Sequence, residues 1–248
     1  MSVTITAKPV PERASLSDGI AATLRDEILR GQYRPGERLP SERDLALRFS
    51  TGRGPVREAL KKLEQLGIAS IQHGGARVVA IEECTLDVLG PLLDLDEVPD
   101  AALIDQVLQM VGQLVRVAAD TAVRKATPEQ LSEIKLRAAE LVADYANDTD
   151  RHKALQALTV LFVKVSDHLV LRLMMNGLRT SFMTRMTRMG IHYDLDSESY
   201  RDIAMELRGA LDDRDSEGVG KAMQKLNLFL RDSVRRALVA RRDTRTNP

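Results

Sequence analysis

Apolar residues recur at helical spacing from Ser17 onward: Ile20, Leu24 and Ile28 stand four apart, which predicts an amphipathic helix. Gly31 is placed to close that helix, and Pro35-Gly36 predicts a turn behind it. Ser41 followed three residues later by Asp44 resembles a capping box and opens a second helix carrying Leu45, Ala46 and Phe49. Thr51 to Gly54 reads as a turn. Pro55 then fits the first turn of a third helix, where its missing N–H costs nothing. Val56, Ala59, Leu60, Leu63 and Leu66 supply that helix with a core stripe, and Gly67 ends it. Beyond this the period drops toward two. Ile68 to Gln72 and Ala76 to Ala80, parted by His73-Gly74-Gly75, predict a two-stranded hairpin. Two short helices, a tight turn and a small hairpin in this order are what a winged helix-turn-helix requires.

Residues 81–100 alternate acidic and apolar, contain Pro91 and Pro99, and read as a connector with some helix. Almost everything after them is helix-patterned. Leu103 to Arg124 forms one long candidate, Thr127-Pro-Glu-Gln marks a new N-terminus, and further helices are expected near 129–147, 151–165, 168–190, 197–213 and 216–242. The fold class is therefore mainly α: a winged helix-turn-helix with a small β wing at 15–80, a linker at 81–100, and an all-helical bundle of about six or seven helices at 101–242.

Composition changes this picture in a few places. The chain of 248 residues is formally neutral, yet residues 1–80 hold 13 Lys and Arg against 9 Asp and Glu, while the remainder holds 23 against 27. A basic head on an acidic body suits a nucleic-acid reader. Cys84 is the one cysteine, which excludes an intrachain disulfide framework and reads as a small buried or half-buried thiol. No apolar run reaches about 18 residues and no charged-then-apolar leader opens the chain, so a cytoplasmic protein with no membrane partner is expected. With no Trp, four Phe and four Tyr, the chain lacks the aromatic platforms used for single-stranded nucleic acid.

Arg53, Arg57 and Lys61 recur every four residues and share a helix face beside the core stripe. Arginine there can reach guanine O6 and N7 with two parallel donors, or clamp phosphate. Gly52 and Gly54 remove side chains where backbone N–H groups meet an anion, and Arg43 stands at the start of the preceding helix. His73 and Gly74 form the wing tip, and glycine there permits a close approach to a minor groove. Farther on, Leu171, Leu173, Met174, Met175, Leu178, Phe182, Met183, Met186 and Met189 make one segment apolar around much of its circumference, as in a central bundle helix. Its methionines suit either core filling or an adaptable apolar cavity, and Arg179, Arg185 and Arg188 are placed to meet an acidic head group or to sit in solvent. No phosphate loop, metal-ligand cluster or Ser/Cys–His arrangement points to an enzyme. A neutral total argues against a nucleoid protein.

The runs Pro40-Ser-Glu-Arg-Asp-Leu-Ala, Arg53-Gly-Pro-Val-Arg-Glu-Ala-Leu and Leu63-Glu-Gln-Leu-Gly together resemble the DNA-binding domain of the GntR family of bacterial transcription regulators. Three patches are similar to the fatty-acid-responsive members of its FadR group: Ser70-Ile-Gln-His-Gly-Gly, Leu92-Leu-Asp-Leu-Asp-Glu-Val-Pro leading into Leu103-Ile-Asp, and Met175-Asn-Gly-Leu followed by Ile191-His-Tyr. The resemblance implies that Arg43, Arg53, Gly54, Arg57, His73 and Gly74 contact double-stranded operator DNA, that the protein is a homodimer reading a short palindrome, and that long-chain acyl-CoA releases it. Asn176, Phe182, Arg185, Met186 and Tyr193 are the candidate effector residues. Many relatives hold a divalent metal through an Asp or Asn and three His. Here Thr159, Val163, Ala204 and Leu226 or Asn227 fall at about those places, so no metal or other cofactor is expected. The match to the acyl-CoA type departs at Val111, where an arginine is usual, at Asn227, where a glycine is usual, and at Val234, where an aromatic is usual. The loop before His192 is also about one helical turn longer. The alternative is a member of the same family sensing a small carboxylate, with or without a metal.

Overall fold

The computed structural model of the chain describes residues 15–96, 100–143, 148–183 and 198–246. The chain gathers into two compact units, Met1–Leu95 and Asp96–Pro248. In the first, α1 (Leu16–Leu29) opens on a reciprocal cap: Asp18 N–H donates to the Ser15 hydroxyl, and Ser15 N–H donates to the Asp18 carboxylate at 2.8 Å. Lys62 hydrogen-bonds the same carboxylate and, with the cap, holds it down to about pKa 2. Gly31 takes the left-handed conformation, φ 76°, that closes the helix. The second helix, α2 (Glu42–Arg48), starts on Ser41, whose hydroxyl accepts from Asp44 N–H. The third, α3 (Arg53–Gln65), starts on Gly52.

Strands β1 (Ala69–Gln72) and β2 (Gly75–Val78) pair antiparallel with Gln72 opposite Gly75, which leaves His73-Gly74 as a two-residue turn. Gly74 and Gly75 have φ of 109° and 126°, a conformation that side chains disfavour, so both positions call for glycine. The segment between α1 and α2 also pairs with the hairpin, through an Arg38–Arg77 bridge and hydrogen bonds from Gly36 to Val78 and Leu39 to Ala76. Leu24, Leu45, Val56 and Ala59 are wholly buried at the centre of this unit.

After the hairpin come two 3-10 turns, Ile81–Glu83 and Leu86–Val88, and a short α4 (Leu89–Asp94). Val88, Leu92 and Leu95 pack on the core of α1–α3, and Arg30 donates to the Leu95 carbonyl. Cys84 is half-buried there. Its Sγ donates to the carbonyls of Gly67 and Ala80, and burial pushes the thiol pKa up, away from a reactive thiolate.

The second unit is helical throughout its described residues: α5 (Ala101–Lys125), α6 (Pro128–Glu140), α7 (Asp148–Val165), α8 (Leu169–Leu178) running into a π-helical turn (Arg179–Met183), α9 (Glu198–Asp212) and α10 (Ser216–Thr246). Together with the winged first unit this is the mainly α architecture that the residue pattern predicts. The capping box forms at Thr127 and Gln130. Helices α5 and α10 run antiparallel, held by the Asp105–Arg231 ion pair (Nη2 to Oδ2 2.7 Å). Small residues let them approach closely. A Cβ at Gly112 would collide with the Asn227 amide, and one at Gly220 would stand 3.2 Å from the Arg116 carbonyl.

One expectation fails in part. The apolar segment beginning at Leu171 is not a central helix over its described length. Leu171 and Leu178 are buried, whereas Leu169, Val170 and Leu173 are 67%, 59% and 60% exposed. A run of apolar residues carries no period that says which side is covered, and α8 covers one side only. The continuous helix expected to 190 gives way to the π turn at Arg179, and residues 184–197 lie outside the described residues.

Leu24 is at the centre of the α1–α3 core, so Leu24→Ala should lower the unfolding free energy by about 2–5 kcal/mol. Urea denaturation followed by circular dichroism checks this, and an unchanged midpoint would contradict the packing described.

Candidate nucleic-acid interface and ligand cavity

Val56, Ala59, Leu60 and Leu63 are buried, and helical geometry places Arg53, Arg57 and Lys61 together on an exposed face beside that stripe. Gly54 is exposed in the same first turn. Gly52 brings no side chain to cap the helix, which leaves its first N–H groups without that partner. Arg43, in the first turn of α2, is exposed as well. The two helices are joined across their starts: Arg57 donates through Nε and Nη2 to the two carboxylate oxygens of Glu42 at 3.0 and 2.8 Å. That contact, then the nearby charges of Arg57 and Arg53, holds the Glu42 carboxyl below its ordinary pKa although partial burial opposes the shift. Lys61 pairs with Glu58 at 3.0 Å.

The hairpin is tied to α3 by Ile71 N–H, which donates to the Glu64 carboxylate at 2.9 Å, and His73 and Gly74 stand exposed at its tip. Residue patterns alone did not point to two arginines that pack on the hairpin. Arg38 lies across Gly75, where a Cβ would come within 2.9 Å of its Nε, and Arg77 donates to the Gly36 carbonyl at 2.8 Å. Glu42 was missed too. No spacing rule connects it to Arg57, since the two meet only through the packing of α2 on α3. On the far side of α2, Arg48 pairs with Glu27 and its guanidinium lies 4.9 Å from the Phe49 ring centre, which fixes α2 against α1.

The second unit contains a cavity of about 670 Å³. Its apolar floor comes from Leu108, Val111 and Val115 of α5 and Met223, Leu226 and Leu230 of α10. One face of α7 supplies His152, Gln156, Thr159, Val160, Val163 and Lys164. The α8 segment supplies Arg172, Met175, Asn176 and Arg179. Three cations thus border a space with an apolar floor and a partly polar wall, and among the described residues no carboxylate lines it. Of the candidate effector residues, Asn176 is on the wall. Phe182 is wholly buried and does not line the cavity, and Arg185, Met186 and Tyr193 lie outside the described residues. Val111 and Asn227, two of the departures noted above, both line it, whereas Val234 is buried elsewhere. Thr159, Val163, Leu226 and Asn227 are also on the wall, while Ala204 is buried outside it. Among the described residues no group of three or more His, Cys, Asp or Glu converges as a metal site would require.

His152 is the titratable group most altered by this environment. Burial pulls its pKa down from 6.5 to about 4 by penalising the charged ring. The Gln156 side-chain amide hydrogen-bonds its Nε2 at 2.8 Å. A neutral imidazole therefore joins the polar wall.

Comparison with known proteins bears on both sites. Residues 16–79 match the family described as "Bacterial regulatory proteins, gntR family". Over 216 residues the chain is 30% identical to the uncharacterized HTH-type transcriptional regulator Rv0494 of Mycobacterium tuberculosis, covering 83% of this chain and 76% of that one. It is 30% identical over 179 residues to the fatty acid metabolism regulator protein of Salmonella paratyphi C, covering 70% of each chain. It is 28% identical over 224 residues to the HTH-type transcriptional repressor NanR of Klebsiella aerogenes, covering 86% of this chain and 82% of that one.

A depressed His152 pKa makes stability pH-dependent in one direction. Between pH 6.5 and about 4 the unfolded chain takes up a proton that the folded ring refuses, so this residue lowers stability as pH falls through that window and adds no further loss below it. NMR titration of the ring should give a midpoint near 4. A midpoint near 6.5 would show that the ring is solvated.

Proposed function

Because the chain belongs to the GntR family of bacterial transcription regulators, we propose that it works as a cytoplasmic homodimer whose two winged helices read a palindromic operator and whose helical unit senses an amphiphilic acyl ligand. The observation that carries the DNA reading is that burial of one face of α3 leaves Arg53 and Arg57 together on an exposed flank, with Arg57 bonded to Glu42, the neighbour in sequence of exposed Arg43. In this reading α3 enters the major groove. Arg53 and Arg57 read base edges, the Gly54 backbone and Arg43 meet the flanking strand, and His73-Gly74 reaches toward the minor groove. Arg38 and Arg77 add positive charge along the wing.

The effector reading rests on the cavity, since the relatives' names diverge. A space of about 670 Å³ with an aliphatic floor is of the size that encloses a drug-sized ligand. Lys164, Arg172 and Arg179 supply charge for an anionic head, and Asn176, Gln156 and neutral His152 supply hydrogen bonds. A long-chain fatty acid or the acyl chain of an acyl-CoA fits that chemistry: its hydrocarbon lies on the α5 and α10 floor, and its carboxylate or phosphates meet the cations. A divalent metal does not fit. Thr159, Val163, Ala204 and Leu226 or Asn227, at the places the resemblance implies for a metal, offer one hydroxyl and at most one amide, too few donors to hold one. Ligand would act by favouring a conformation whose two heads no longer match the half-site spacing, which is a population shift and requires differential affinity for the two states.

Arg53→Ala and Arg57→Ala should each weaken operator binding by about 1–3 kcal/mol and relax base preference. Fluorescence anisotropy at fixed salt measures both, and unchanged affinity in the two variants would remove α3 as the recognition helix. In the same assay long-chain acyl-CoA, free fatty acid and small carboxylates are titrated separately. Release by the acyl ligands, weakened in Arg172→Ala, is the expected result. Release by small carboxylates alone would move the assignment to the alternative effector class.

A further inference from the structure

We propose that Glu42 is a positioning residue for base readout: its carboxylate holds the Arg57 guanidinium by its Nε edge and aims the remaining Nη1/Nη2 fork at the DNA. The proposal rests on α3 being the recognition helix.

The guanidinium has five N–H donors in one plane, and two of them are committed to the Glu42 oxygens at 3.0 and 2.8 Å. The three that remain include an outward pair, one on each terminal nitrogen, with the parallel spacing that matches guanine O6 and N7. An arginine held in this way has lost most of its rotamer freedom before the DNA arrives. Its directional fork also replaces a mobile cation that would settle on any phosphate.

The pair is not a stability device. Its side chains are 59% and 35% exposed, and an ion pair so open to water contributes little to folding. What it has is a rigid base. Glu42 opens a helix capped by Ser41, anchored by wholly buried Leu45 and fixed to α1 through Arg48 and Glu27. Other acids nearby serve local contacts: Asp44 accepts from Ser41, Glu58 pairs with Lys61, and Glu64 accepts from the wing. Glu42 is the acid that reaches across from one helix to an arginine of the other, and Arg53 lies close enough to lower its pKa as well. A carboxylate on a surface meant for DNA repels phosphate. That repulsion falls equally on operator and non-operator duplexes, whereas the ordering of Arg57 benefits only a site presenting the right base.

The test uses the full-length protein, an operator duplex selected by the wild type from a random-sequence pool, and a scrambled duplex of equal length. Glu42→Gln keeps the shape and removes the charge that fixes Arg57. It should weaken operator binding by about tenfold, leave or raise affinity for the scrambled duplex, and relax preference at the base pair that Arg57→Ala relaxes. In an Arg57→Ala background the same change should cost nothing further, because the group it positions is gone. Thermal melting of each variant keeps folding separate from binding. The proposal is overturned if Glu42→Gln binds the operator as tightly as wild type or more so, in which case Glu42 merely sequesters Arg57. It is overturned equally if the loss persists without Arg57. Arg57→Ala with wild-type affinity overturns it too, and the recognition-helix reading itself falls only if Arg53→Ala also binds as tightly as wild type.

Discussion

The orientation of the first unit follows from the burial of one face of α3. Val56, Ala59, Leu60 and Leu63 leave water together, and because a helix turns about 100° per residue Arg53 and Arg57 are carried to the exposed flank beside them. Everything that positions the reading surface reinforces this. Lys62 reaches from α3 to the Asp18 cap of α1, Glu64 accepts from the wing backbone, and Glu42 meets Arg57 across the helix starts. A substitution that rotated α3 would turn cations inward and apolar groups outward, and both changes are unfavourable. The polar face is therefore set by the apolar one.

The helical unit obeys a different constraint. Gly112 and Gly220 let α5 and α10 approach closely. Asn227 occupies the space left by the missing Gly112 side chain and presents an amide at the cavity wall. The long side chains of α7 and α8 close the other side without filling it. The polarity of the cavity is therefore uneven: aliphatic on the floor and cationic along α7 and α8. Charge is likewise uneven at the scale of the chain, which is neutral in total. The functional electrostatics are local, carried by a few arginines on α3 and three cations around the cavity.

The two halves differ in how much could be read before folding. In the first unit the turn residues, caps and stripe at Gly31, Ser41, Pro55, Gly67 and His73-Gly74-Gly75 are local signals, and each acts within a few residues. The long helix α5 and the Thr127 capping box were equally accessible, since periodicity and caps are written locally. The α8 segment was not. A run of apolar residues from Leu169 to Met175 looks the same whether a helix is buried all round or covered on one side, and the structure exposes Leu169, Val170 and Leu173.

The amino-acid sequence by itself determined the helical class, the winged helix-turn-helix order and the face shared by Arg53, Arg57 and Lys61. Each of these depends on residue identity at short spacing. Only the tertiary structure decided that Glu42 pairs with Arg57 across 15 residues of chain, that Arg38 lies over Gly75, that Val111, Asn176 and Asn227 share one cavity, and that His152 is held neutral beside them. Those relations join residues on separate helices or strands. They depend on how the elements pack, which a local pattern does not encode.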